Sequence, residues 1–145
     1  MAETPARGTI LLVEDEEGVR AVLAELLTGL GFTVLEAGNG VEAVDIATRQ
    51  AGAIDLVVTD MVMPEMSGQE LGRTLAKKWP DLRILYMSAF ASNIYSPSAL
   101  ANALADFISK PFGLDDFLAK VRGLMEAPPR RRADAPVSAP PPRPV

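Results

Sequence analysis

The chain has 145 residues, 48% of them hydrophobic, which suits one domain with a sizeable core and is too short for two. With no cysteine and no histidine it has no disulfide framework, no thiolate site and neither the commonest zinc ligand nor the commonest general base, so any metal must be held by oxygen. Of 14 basic and 19 acidic residues, four basic and one acidic lie in 127–145, leaving a body near −8 that argues against a nucleic-acid surface and a tail near +3.

In chain order, the apolar run "TILLVE" (9–14) predicts a first strand, and Val19, Val22, Leu23, Leu26, Leu27 and Leu30 at helical spacing predict a helix that Gly29 and Gly31 stop. "GFTVLEA" begins a second strand. Asn39 is an N-cap for "GVEAVDIATRQ", whose Val41, Val44 and Ile46 form its apolar positions. "IDLVVTD" makes the third strand, Ser67 caps "GQELGRTLAKKW", and Trp79-Pro80 closes that helix. "LRILYMS" (82–88) and "DFISK" (106–110) are the fourth and fifth strands. Between them Ser96-Pro97 reads as N-cap and first turn of a fourth helix that starts late, after a loop holding Phe90 and Tyr95. "LDDFLAKVRGLM" is the fifth helix. The last 19 residues hold seven of the twelve prolines and almost no large apolar side chain, and are expected to be a disordered Pro/Arg-rich tail. No run approaches the roughly eighteen apolar residues of a membrane span, and no apolar segment follows a basic start, so a cytoplasmic protein is expected.

Strands alternating with helices of this length imply a mainly parallel sheet covered on both faces, a doubly wound α/β sandwich of five βα units. Ligands of such sheets bind beyond the carboxyl ends of the strands, where the strand order reverses. The polar residues at those ends are Glu14 and Asp15, Asp60, Ser88 and Lys110. A carboxylate ending an apolar run, as Asp60 does in "LVVTDMVMP", costs several kcal/mol unless it meets a cation.

Each of these residues has a job in phosphoryl transfer to a side chain, where catalysis is mostly positioning and charge neutralisation. Glu14, Asp15 and Asp60 supply hard oxygen ligands for Mg²⁺. Asp60 is the candidate nucleophile, Lys110 a mobile charge for a phosphoryl oxygen, and Ser88 a hydrogen-bond donor to another. Taken singly, each has a plainer reading: "EDEE" as helix capping, Ser88 as a turn hydroxyl, Lys110 as a solvated loop charge. Compatible groups at every one of these strand ends outweigh the separate readings.

The segments "LLVEDEE", "LVVTDMVMPEMSG", "ILYMSAF" and "ISKPF" resemble the receiver domain of two-component response regulators, over roughly residues 8–126. The resemblance implies a flavodoxin-like (βα)5 fold of order 2-1-3-4-5, with domain boundaries at 1–126 and the tail at 127–145. It matches Glu14 and Asp15 to the family's acidic pair, Asp60 to the phosphoacceptor, Ser88 to the switch hydroxyl and Lys110 to the active-site lysine. Val62 falls where the family offers a main-chain carbonyl to the metal, Phe107 at the switch aromatic, and Lys110-Pro111 at a cis bond. Two residues depart from the commonest pattern: Glu14 stands where many members have aspartate, and Phe107 lacks the hydroxyl of a tyrosine.

The resemblance implies a phosphoacceptor signalling protein, not an enzyme in the usual sense, catalysing only its own phosphorylation and dephosphorylation. Asp60 would accept a phosphoryl group, with Mg²⁺, from the phosphohistidine of a sensor histidine kinase or histidine phosphotransfer protein. The chain, without histidine, can be acceptor and not donor. The switch would alter a face formed by the fourth helix, fifth strand and fifth helix, for a downstream protein target. Nineteen Pro-rich residues cannot fold an effector, so output through protein partners is expected, from a single-domain regulator, a relay intermediate or an excised hybrid-kinase receiver. Membrane and nucleic-acid partners are not expected, and the oligomeric state is left open. Two rivals rank behind: a phosphorylation-independent receiver-like interaction module, which would usually have lost one of the key residues, and a haloacid-dehalogenase-type hydrolase, which needs an acid at Val62. Trp79, the only tryptophan, would report metal binding if its ring lay close enough.

Overall fold

The computed structural model describes residues 8–50, 52–88 and 105–126. Five strands form one parallel sheet: β1 (Thr9–Val13), β2 (Thr33–Ala37), β3 (Leu56–Asp60), β4 (Arg83–Ser88) and β5 (Ala105–Ser109), in the order β2-β1-β3-β4-β5. The chain steps outward from β1 to β2, then returns past β1 to β3. The strand order therefore reverses between β1 and β3, and a crevice opens beyond their carboxyl ends. Register places Leu11 beside Leu35 on one side and Val57 on the other. β3 is buried along its whole length, which explains its unbroken apolar run: it is covered on both faces.

Among the described residues four helices do the covering: α1 (Glu17–Gly29), α2 (Gly40–Gln50), α3 (Gly68–Lys78) and α4 (Leu114–Glu126). Alternate strand residues feed two cores. Leu11, Val13, Val57, Ile84 and Tyr86 pack with Ala43 and Ala47 of α2 and Leu71 and Leu75 of α3. Ile10, Leu12, Leu56, Val58, Leu85 and Met87 pack with Leu23 and Leu27 of α1 and Phe117 and Val121 of α4. The expected fold, doubly wound and parallel in the order 2-1-3-4-5, is the observed one.

Local signals place the helix ends. Asn39 Oδ1 accepts from the Glu42 N–H at 2.8 Å while Glu42 Oε1 accepts from the Gly38 N–H at 2.8 Å, a reciprocal cap at the start of α2. Ser67 Oγ accepts from the Glu70 N–H at 3.1 Å, and α3 ends at Lys78 with Trp79 as its C-cap. Gly31, at φ 101°, turns the chain out of α1 in a conformation that favours glycine.

The helix faces differ from the periodicity reading. Val19 and Val22 of α1 are 37% and 55% exposed, and Val41 of α2 is 58% exposed. Leu23, Ala24 and Leu27 are the buried residues of α1, and Gly40, Ala43 and Ala47 those of α2. Small residues let a helix lie close to the sheet, and a count of large apolar side chains misses them. Val44 and Ile46 pack at the margin of the core, as expected in kind but not in rank. The expected fourth helix after Pro97, its loop with Phe90 and Tyr95, and the 127–145 tail lie outside the described residues.

Candidate functional site

Four strand ends meet at the crevice. Glu14 follows β1, Asp60 is the last residue of β3, Ser88 the last of β4, and Lys110 follows β5. Main-chain bonds hold these ends in line: Glu14 N–H to the Ala37 carbonyl at 3.1 Å, Met61 N–H to Met87 at 2.8 Å, and Lys110 N–H to Ser88 at 2.8 Å. Beyond Asp60 the chain turns back sharply. Glu65 takes a positive φ of 72° there, and Gly68 N–H donates to the Met61 carbonyl at 2.9 Å. Gly68 allows this close return, since a Cβ on it would overlap the Asp60 carbonyl oxygen and lie 2.9 Å from Met61 Cα.

The side chains of Glu14, Asp15, Asp60 and Lys110 come together. One oxygen each of Glu14, Asp15 and Asp60 lies within 4.8 Å of the others. Lys110 Nζ stands 3.3 Å from Asp60 Oδ2 and 3.5 Å from Glu14 Oε1, bridging two of the three carboxylates. Asp60 is 9% exposed and Glu14 and Ser88 are each 1% exposed, whereas Asp15 lies open to solvent. The pocket is thus buried at its base and accessible at its rim.

One ammonium faces three carboxylates in this cluster, and the deficit shows at Glu14. Burial, the largest cause, pushes its carboxyl above the ordinary value of 4.5, with Asp60 and Asp15 adding to the rise. The Glu16 main-chain N–H, which donates to Glu14 Oε2 at 3.2 Å, and Lys110 pull the other way. Glu14 Oε1 is buried and accepts no hydrogen bond. A buried oxygen that accepts no hydrogen bond and has only the Lys110 ammonium 3.5 Å away, beside two further carboxylates in a chain without histidine or cysteine, fits a hard divalent cation such as Mg²⁺, which takes a few carboxylates and keeps waters on its remaining positions.

Among the other expected site residues, Val62 lies two residues past Asp60 with its side chain 65% exposed. Phe107 is half-buried on β5 opposite Tyr86 and packs at the edge of the α2/α3 core. The Lys110-Pro111 peptide bond is cis. Trp79 sits at the other edge of the sheet, against Gly52, beside the start of β4. A five-residue strand of roughly 16 Å separates the two edges, so its ring is no reporter of the acidic cluster. Periodicity passes over Arg20. Its Nη1 donates to the Glu14 main-chain oxygen at 2.8 Å and its Nε pairs with Glu36 Oε1 at 3.3 Å.

Fold and site together define a flavodoxin-like α/β protein with an acidic, lysine-bridged cluster at its topological switch point. Residues 10–122 match the response regulator receiver domain, and the chain belongs to that family. It is 41% identical over 118 residues to the sensor kinase CckA of Brucella abortus, covering 81% of this chain but only 12% of the kinase. The solved receiver domain from the hybrid histidine kinase CckA superposes with a TM-score of 0.71 at 32% identity, over 82% of this chain and 100% of that one. CpdR of Brucella abortus, a response regulator receiver protein, is 36% identical over 118 residues, 81% of this chain and 97% of CpdR. The response regulator TrrA of Thermotoga maritima, solved with Mg²⁺-BeF, superposes at a TM-score of 0.67 and 32% identity, over 81% of this chain and 98% of that one. TrrA has also been solved in complex with the histidine kinase ThkA, with a TM-score of 0.69 to this chain over 81% and 97% of the two.

Proposed function

We propose that this chain is a cytoplasmic phosphoacceptor of a two-component relay, in which Asp60 receives a phosphoryl group from a phosphohistidine of a histidine kinase or phosphotransfer protein. The observation that carries this reading is Asp60 itself: a nearly buried carboxylate at the switch point, within reach of two further acids and 3.3 Å from Lys110. An Asp60 oxygen attacks phosphorus, the P–O bond forms, the P–N bond breaks, and the electron pair returns to the departing imidazole. Lys110 and the Ser88 hydroxyl each partner an equatorial phosphoryl oxygen, and Lys110 gives up its present hold on Asp60 to do so.

Glu14, Asp15, Asp60 and the Val62 main-chain carbonyl would hold Mg²⁺, which when bound neutralises charge on the transferred group. The new phosphoryl adds about −1.5 to −2 charges. Ser88 and Lys110 follow it, the β4 end shifts, and Phe107 turns inward, altering the face made by the helix expected after Pro97, β5 and α4. That face would engage a downstream protein. The match along 97% of CpdR supports a regulator acting as a single receiver, and the match to CckA supports the same module within a hybrid kinase.

Reductive trapping tests the assignment. After incubation with acetyl phosphate and Mg²⁺, borohydride reduces an aspartyl phosphate to homoserine. Peptide mapping is expected to place that conversion at Asp60. Conversion at another acid, with Asp60 intact, would overturn the assignment.

A further inference from the structure

We infer that Arg20 is a positioning residue for the acidic cluster: it braces the turn that carries Glu14 and Asp15, and so sets the cluster's affinity for a divalent cation. The inference rests on the reading of that cluster as the Mg²⁺ site. Arg20 lies on the first turn of α1, with its side chain 19% exposed. Its planar fork spans two elements. Nη1 donates to the Glu14 main-chain oxygen at 2.8 Å, and Nε pairs with Glu36 near the end of β2 at 3.3 Å. The Glu36 side chain is 47% exposed, so the carbonyl bond is the stronger half of the brace.

The guanidinium has room there because the neighbouring position is glycine. A Cβ on Gly38 would stand 3.2 Å from Arg20 Nη1. Gly38 is itself fixed by its N–H bond to Glu42. The turn after β1 is therefore clamped from two sides: the Glu14 N–H is bound to the Ala37 carbonyl and the Glu14 carbonyl to Arg20. Fixing both main-chain groups of Glu14 fixes where its side chain emerges. This matters because one oxygen of that carboxylate lies within 4.8 Å of oxygens of Asp60 and Asp15, and its Oε1 accepts no hydrogen bond. A pre-positioned ligand set binds more tightly because it loses less freedom on binding.

Bracing and charge predict opposite signs. Judged by charge alone, a cation beside the cluster repels Mg²⁺, so Arg20→Ala would tighten binding. Judged by bracing, Arg20→Ala loosens the turn and weakens it. Arg20→Lys keeps the charge but lacks the fork that reaches both partners, so it also weakens binding.

The experiment is Mg²⁺ titration by calorimetry on the full chain for wild type, Arg20→Ala and Arg20→Lys, with melting temperatures in chelator alongside. Arg49→Ala, which removes the same charge from an exposed pair with Asp45, is the control. Both Arg20 variants are expected to bind Mg²⁺ about fivefold or more weakly, on the scale of one lost charged hydrogen bond, and Arg49→Ala to match wild type. Tighter binding in Arg20→Ala would overturn the inference, as would a lowered melting temperature with unchanged Mg²⁺ affinity, which marks a purely structural role. If Arg20→Ala does not fold, Arg20→Lys decides by the same criterion. Wild type that binds no Mg²⁺ at millimolar concentration would instead overturn the proposed function on which the inference stands.

Discussion

Glu14 is the residue at which stability and function pull apart. It is 1% exposed, and burial above all holds its carboxyl above 4.5. A raised folded-state value means that the unfolded chain releases this proton first. The contribution to stability is therefore full below the unfolded value and is lost as pH rises through the folded one. Without metal, Glu14→Gln is expected to melt above wild type at pH 7. The gap should close below 4.5, where the wild-type carboxyl is neutral too. Excess Mg²⁺ should narrow or reverse the gap, because the ionised carboxylate then has its partner. Thermal melts across pH, with chelator and with Mg²⁺, check this, and a gap that widens toward acid would contradict it. Glu14, Asp15, Asp60 and Lys110 are legible in the sequence because each stands where an apolar run stops. Arg20 is not, because its principal partner is a main-chain oxygen, which no side-chain pattern reveals.

At the scale of elements, the strands follow from their apolar runs, but the way helices meet the sheet depends on small residues. Gly68 and Gly123 show the contrast. A methyl group on Gly68 would overlap the Asp60 carbonyl, whereas one on Gly123, within α4, meets nothing within 4 Å. Gly68→Ala is expected to destabilise by about 2 kcal/mol through overpacking and to weaken Mg²⁺ binding by displacing Asp60. Gly123→Ala should stabilise by about 1 kcal/mol through helix propensity alone, leaving Mg²⁺ binding unchanged. Urea denaturation measures both, and equal stability for the two variants would contradict these expectations. The same physics explains why Val19, Val22 and Val41 look like core in the sequence and are not. Large apolar residues dominate a periodicity count, but Ala43, Ala47 and Gly40 are what α2 buries. The caps are legible because Asn39 and Ser67 act within three residues of themselves.

For the whole molecule, the order β2-β1-β3-β4-β5 puts the ends of β1 and β3 side by side at the reversal, which is why residues 46 positions apart, Glu14 and Asp60, share one pocket. Alternating strands and helices make a parallel, doubly wound sheet legible and the family resemblance implies its order, whereas side-chain distances at the pocket come only from the fold. Among the described residues no helix is long and apolar enough to cross a membrane. The central claim is that this edge of the sheet is a metal-dependent phosphoryl acceptor centred on Asp60. Intact mass after incubation with acetyl phosphate tests it most directly, comparing wild type with Mg²⁺, wild type with chelator, and Asp60→Asn with Mg²⁺. A gain of one phosphoryl group, labile to hydroxylamine, is expected in the first sample alone. The same gain in Asp60→Asn, or in wild type with chelator, would contradict it.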